Sequence, residues 1–260
     1  MTATAFRRAL GRPWIGGAVG IALLLLVWWL GTAGLGSTSS FPTPAAVVQS
    51  VFSDGWAFYG PNLSATISRA AQGYLWGNLA GLAVASLVLV VPRLEELVTQ
   101  FGVISNCLPV TAVGPIIMVI FGGTASAIFL GALLVFFTTL VGAILGMKSA
   151  GRGAVELVAA YGGGRWTQIR KVKLIAALPA IVTALQVAVP GALLGAIVGE
   201  YLGGIDSGIG VALNAAQRQI LPERVWALSI IAGLISLAGY ALIGLLGRAL
   251  TPWAPRKAAR

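Results

Sequence analysis

The 260-residue chain predicts an all-α polytopic membrane protein with about six transmembrane helices. Composition, the spacing of its charges and the uneven distribution of its basic residues all point that way. Hydrophobic residues make up 58% of the chain and charged residues 9%, with 17 Lys+Arg, 7 Asp+Glu and no His. A soluble domain needs roughly 25% charged residues to cover its surface, so this chain cannot face water all round. It has ample apolar surface to bury, which excludes disorder. With no His and one Cys, Cys107, a zinc cluster, a Cys/His nucleophile pair and an internal disulfide are excluded.

The gaps between charges locate the spans. Uncharged runs cover 13–53 (41 residues), 70–92 (23), 97–147 (51), 174–199 (26) and 225–247 (23). One crossing needs about 20 apolar residues, so the longest run holds two, with Gly122-Gly123-Thr124 as the turn between them. The predicted spans are 14–33, 70–91, 98–121, 125–146, 177–199 and 225–247, in a single domain over 1–260 with its core at 62–250.

The first span follows MTATAFRRALGR, which also fits the charged start of a signal peptide. Its apolar stretch is long, and no A-x-A cleavage site follows, so a retained span is the expectation. Phe41-Pro42-Thr43-Pro44 then reads as an extended turn opening a short helix, with Val47, Val48, Val51 and Phe52 on an apolar face or simply in a connector lying on the membrane. Span three carries Ser105, Asn106, Pro109, Thr111 and Pro115, polar groups and two expected helix breaks at membrane depth. Interrupted helices line transport paths, which makes Ser105, Asn106, Pro109 and Thr111 candidates for a solute path, although a lone Pro also serves as a plain kink. Gln186 and Pro190 in span five offer a second wall. Glu200, at the end of that span, is either a gating or binding acid or a merely solvated one. Residues 200–224 are too polar to cross, yet GIGVALNAAQ has the pattern of a short surface or re-entrant helix.

With six spans both termini share a side, and that side receives 14 of the 17 basic residues; only Arg69, Arg218 and Arg224 fall opposite. The positive-inside rule therefore puts both termini in the cytoplasm. It also accounts for the net charge of +10 through topology and lipid headgroups, with no nucleic acid needed.

The stretch 147–176, MKSAGRGAVELVAAYGGGRWTQIRKVKLIA, is long for a connector. Glu156 to Tyr161 reads as a short helix stopped by Gly162-Gly163-Gly164, since glycine accepts the left-handed backbone of a helix end. Arg165 to Lys173 starts a basic amphipathic helix, and Leu178-Pro179 marks the start of span five. Such a helix either binds a partner or lies on anionic lipid.

These residues resemble the coupling loop of ABC-importer permeases: Glu-Ala-Ala, three residues, Gly, and later Leu-Pro. Glu156 and Gly162 have the motif's separation, Leu178-Pro179 stands at its close, and Gly162, Arg165 and Trp166 match the G-x-x-R-W form of permeases for nitrate, sulfonates and taurine. FPTP, Arg69 with Gly73 and Gly77, Leu108-Pro109 and GEYLGGIDSGIGVALNAAQ are similar to the same subfamily, so the likeness covers about 41–250. Leu157 and Val158 depart from the usual alanines, and Ile175 from a proline found in many members.

The resemblance implies the type I ABC-importer permease fold in a bacterial cytoplasmic (inner) membrane, importing a small solute such as nitrate, a sulfonate, taurine, bicarbonate or a related organic acid or heterocycle. It implies an ATPase dimer seated on Glu156, Leu157, Val158, Ala159, Ala160, Gly162, Arg165 and Trp166. It further implies a second permease, identical or paralogous, and an extracytoplasmic binding protein. ATP and Mg are expected on the partner, because the chain lacks G-x-x-x-x-G-K-[ST] and GGGR has neither its lysine nor its hydroxyl. The rival class is a secondary transporter, which usually places ionisable residues inside its spans, where this chain has almost none. A membrane enzyme would need a catalytic constellation that these residues do not assemble.

Overall fold

The computed structural model describes residues 13–33, 40–106 and 109–253, and every regular element among them is helical. The helices are α1 (Pro13–Ala33), α2 (Pro44–Val90), α3 (Glu95–Asn106), α4 (Val110–Phe121), α5 (Gly123–Lys148), α6 (Arg152–Ala160), α7 (Arg165–Leu202), α8 (Ile209–Arg218) and α9 (Pro222–Leu250). Among the described residues α1, α2, α5, α7 and α9 are long and apolar enough to cross a membrane, and α4 is a shorter apolar helix. The all-α polytopic expectation holds.

Three boundaries differ from the charge-gap reading. The second span begins far upstream of 70, because α2 runs 47 residues from Pro44. Thr43 caps it, its hydroxyl accepting from the Ala46 amide at 3.2 Å, and Pro44 takes the first turn, where a missing N–H costs nothing. Gly55 (φ +64°) divides this helix into a short first piece and a longer one. Where a single third span was expected over 98–121, the chain forms two 12-residue helices, α3 and α4, with Pro109 non-helical ahead of α4. Pro109 therefore interrupts the span as expected, whereas Pro115 sits inside α4 without ending it. Finally, Leu178-Pro179 does not open span five: α7 is helical from Arg165, and Pro179 and Pro190 both lie in its interior.

The core is a three-helix contact of α2, α5 and α7, with Leu130, Val135 and Leu140 of α5 almost fully buried in it. Small residues set its spacing, since helices in lipid gain most by close backbone approach. A Cβ on Gly195 of α7 would stand 2.6 Å from the Cα of Gly131 in α5. The polar groups inside are paired: Asn78 donates to the Tyr74 carbonyl at 2.8 Å and accepts from the Thr139 hydroxyl at 2.5 Å, while the Tyr74 hydroxyl donates to the Leu185 carbonyl at 3.1 Å. The turn at Gly122-Gly123 has positive φ at both residues (+62° and +47°), as the sequence predicted.

By contrast α1 is largely exposed, its leucines turned away from the rest of the chain. It is held near its end, where Trp28 donates to the Pro42 carbonyl at 3.0 Å and stacks on Trp226 at 5.2 Å. The first piece of α2 is fixed to the start of α9 by a two-point ion pair from Arg224 to Asp54, at 2.5 and 2.8 Å.

Candidate functional site

The helix α7 is flanked by two clusters of functional candidates, one at each end. Its first residues meet α6 in an elbow. There α6 has no buried residue and carries Glu156, Leu157, Ala159 and Ala160 exposed, with Val158 half-buried. The elbow closes by a two-bond helix end: the Gly162 amide donates to the Ala159 carbonyl at 2.9 Å, and the Gly163 amide to the Val158 carbonyl at 2.8 Å. Gly162 sits at φ +74°, the left-handed region where an L side chain is strained. Val158, one of the departures from alanine, packs so that a Cβ on Gly163 would fall 2.5 Å from its Cγ1.

Beyond the bend, Arg165 donates from Nη2 to the Val90 carbonyl at 2.9 Å, which ties the start of α7 to the end of α2. Trp166 is exposed and Ile169 buried, so the arm has one face seated and one free. Residues Ile169–Lys173 form a π-helical turn, a wide turn found often at functional positions. Behind the elbow lies a cleft of about 370 Å³ lined by Glu95, Lys148, Arg152, Glu156 and Lys173 among others. This element can present a rigid knob: an exposed short helix, sealed at its end and pinned to two spans.

At the far end of α7 stands Glu200, 2% exposed. Neither a solvated acid nor one open to solute, it is saturated by protein donors. Arg69 donates from Nη1 to Oε1 at 2.7 Å, while Oε2 accepts from the Thr66 hydroxyl at 2.7 Å and the Gly210 amide at 3.0 Å. Arg69 also donates to the Ser207 carbonyl at 2.6 Å, the Thr66 oxygen accepts from the Ile209 amide at 2.8 Å, and Asn62 accepts from the Gly208 amide at 2.9 Å. The first amides of α8, orphans in any helix, are thus satisfied by side chains of α2 and α7, with a carboxylate at the positive end of the dipole. Gly208 (φ +136°) permits this approach, because a Cβ there would lie 2.4 Å from the carboxylate.

The sequence reading counted Arg69 as a boundary charge and missed this pairing. A signal was present: Asn62, Thr66 and Arg69 fall at helical spacing on one face of α2, at the level of the lone acid of span five.

The path candidates are placed differently from one another. Thr111 and Pro109 are exposed on or beside α4. Gln186 is half-buried against α9, where a Cβ on Gly244 would stand 2.4 Å from its amide nitrogen. The side chains of Ser105 and Asn106 lie outside the described residues, as does Cys107.

The family model described as binding-protein-dependent transport system inner membrane component matches residues 77–254. A riboflavin transport system permease protein of Chloroflexus aurantiacus is 29% identical over 237 residues, covering 89% of this chain and 87% of the relative. A formylaminopyrimidine transport permease protein of Halalkalibacterium halodurans is 28% identical, over 89% and 92% of the two chains. The taurine transport system permease protein of Escherichia coli is 26% identical, over 90% and 87%.

Proposed function

The chain belongs to the family of binding-protein-dependent transport system inner membrane components, and from that premise we propose how its two ends serve import. It is the membrane-embedded permease subunit of an ABC importer, not itself an enzyme, and a carrier driven by an ion gradient is disfavoured. Permeases of this family work with an ATPase and a binding protein.

In the proposed assembly a dimer of ATPase subunits seats on the coupling loop 147–176 at Glu156, Leu157, Val158, Ala159, Ala160, Gly162, Arg165 and Trp166. A second permease, a copy or a paralogue, completes the path, and an extracytoplasmic binding protein delivers the solute to the α8 end. The membrane is the bacterial inner membrane with both termini cytoplasmic, in keeping with 14 of 17 basic residues on that side. Ser105, Asn106, Pro109, Thr111 and Gln186 are proposed to line the path. Nucleotide and Mg are assigned to the partner, because this chain lacks G-x-x-x-x-G-K-[ST]. The solute class is a small polar organic molecule or oxyanion, given that the relatives are named for riboflavin, formylaminopyrimidine and taurine transport.

The observation that carries the assignment of the loop is the elbow itself. An exposed helix with no buried residue is an unusual way to end two spans unless a partner covers it.

The test is purification in mild detergent with identification of co-purifying subunits. An ATPase with one permease species indicates a homodimer, and an ATPase with two indicates a heterodimer. A monodisperse chain without ATPase, active in liposomes on a proton or sodium gradient alone, would overturn the assignment. Orientation is tested by labelling from outside in a Cys107→Ala background: Ser207→Cys should react and Gly164→Cys should not.

A further inference from the structure

The helix α7 spans 38 residues from Arg165 to Leu202, about 55 Å at 1.5 Å per residue. Its first residue belongs to the elbow, and its last turn carries Glu200, which holds the start of α8. One continuous helix therefore touches both the loop that faces the partner ATPase and the helix that faces the opposite side. The carboxylate contacts are buried and every one is made, so no cheap rearrangement lets α8 slip while α7 moves. Glu200 is joined to α8 directly by the Gly210 amide and indirectly by Thr66, whose hydroxyl bridges the carboxylate to the Ile209 amide.

We infer that Glu200 is a positioning residue: with Thr66 and Arg69 it locks α8 to the end of α7, so that a displacement of the elbow is delivered to α8 on the far side of the membrane. This rests on the reading of the elbow as the ATPase seat. It assigns α8 the role of a driven outer element and not of a passive cover. Beside the latch, Asn214 of α8 donates to the Tyr201 carbonyl at 3.1 Å, and with Arg218 it borders an open hollow of about 300 Å³ that Glu200 and Tyr201 also line, so a shift of α8 reshapes that hollow.

The test uses the complete transporter with its co-purified ATPase, in a Cys107→Ala background, carrying a reporter cysteine at Gly153→Cys on the elbow or at Ala215→Cys on α8. Both positions are exposed, and a Cβ at Gly153 meets nothing within 4 Å. The readout is the rate of maleimide labelling with and without trapping by ATP and vanadate. Trapping should change the rate at both positions at least threefold. In Glu200→Gln or Thr66→Val the response at 153 should persist while that at 215 falls to under a third of its original size, and Thr66→Ser, which keeps the hydroxyl, should restore it. A purely structural role would lower both responses together with the yield of complex.

If 215 does not respond in the otherwise unmodified chain while 153 does, the inference is overturned. It is equally overturned if both variants keep the full response at 215. Should Glu200→Gln fail to assemble, Thr66→Val decides. Failure of the chain to bind any ATPase is a different result, and it removes the elbow assignment itself.

Discussion

The two ends of α7 are both tied to α2 by an arginine, yet they are built on opposite principles. At the elbow, Arg165 reaches a backbone carbonyl in an exposed setting, and the neighbouring helix has nothing buried. At the latch, Arg69 and Glu200 have side chains only 10% and 0% exposed, and the carboxylate accepts three hydrogen bonds. An exposed contact is exchangeable at little cost, which suits a surface that must engage and release a partner. A buried charge must keep its partner or pay heavily in desolvation, which suits a joint that must never open. Burial, more than the presence of charge, separates the end proposed to dock from the end proposed to hold.

The strongest way to break that comparison is Arg69→Leu, which takes away the partner of the buried Glu200 carboxyl. Removing one partner of a buried pair costs about 3–5 kcal/mol, so thermal unfolding in detergent should drop sharply and the complex should lose monodispersity. The double variant Arg69→Leu/Glu200→Leu should regain part of that stability, because no buried carboxyl is left without its partner, though α8 still loses its cap at Gly210. A single variant as stable as the parent would show that the latch end is wetter than its geometry implies.

Overpacking comes next. Gly77 of α2 has no room for a side chain: a Cβ would stand 2.4 Å from the Ala132 carbonyl oxygen and 2.8 Å from the Val135 Cβ. Gly77→Val should cost about 1–3 kcal/mol by forcing the helices apart, read as reduced thermal stability of the detergent-solubilised chain. Because this site is at neither end of α7, it sharpens the contrast by showing what the shared core contributes.

These magnitudes bear on what was legible in the sequence. Charge gaps placed α1, α5 and α9 within a few residues because lipid tolerates few ionised groups. The turn at Gly122-Gly123, the helix start at Phe41–Pro44 and the bend at Gly162 were legible too, since each rests on local backbone chemistry. The early start of the span in α2 was hidden because Asn62 and Ser64 interrupt its hydropathy without interrupting the helix that follows Gly55. The continuity of α7 was hidden for the opposite reason: Pro179 suggested a boundary, but a membrane helix tolerates the lost amide. The latch was hidden because Arg69 and Glu200 are 131 residues apart, and each alone looks like a charge at the edge of a span.

Gly162→Val tests the docking end. Its φ of +74° costs a side chain roughly 1 kcal/mol or more, yet the space around it is empty within 4 Å. The chain should therefore insert and fold almost normally, with the elbow tilted and ATPase association or ATP-dependent uptake lost. Glu156→Lys should act at the same end by reversing an exposed charge that lines the elbow cleft. Full uptake with normal ATPase binding in both variants would reduce the loop to a connector lying on lipid, and the comparison would lose its docking half.

The smallest effect belongs to the ion pair between Lys148 and Glu95, and it is informative because it is small. The two residues lie at the elbow end, Lys148 in the last turn of α5 and Glu95 in the first turn of α3. Their side chains are 57% and 34% exposed, so water and salt screen the pair in a way they cannot screen Arg69 and Glu200. Lys148→Ala should change stability by about 0–1 kcal/mol. Glu95 would still sit favourably at the N-terminus of α3, where an acidic side chain complements the helix dipole. Thermal unfolding at low and high salt checks this: the parent and Lys148→Ala should differ slightly at low salt and converge at high salt, while Arg69→Leu stays destabilised in both. If Lys148→Ala proves as damaging as Arg69→Leu, charge pairing itself holds the fold wherever it occurs, and exposure no longer distinguishes the end proposed to dock from the end proposed to lock.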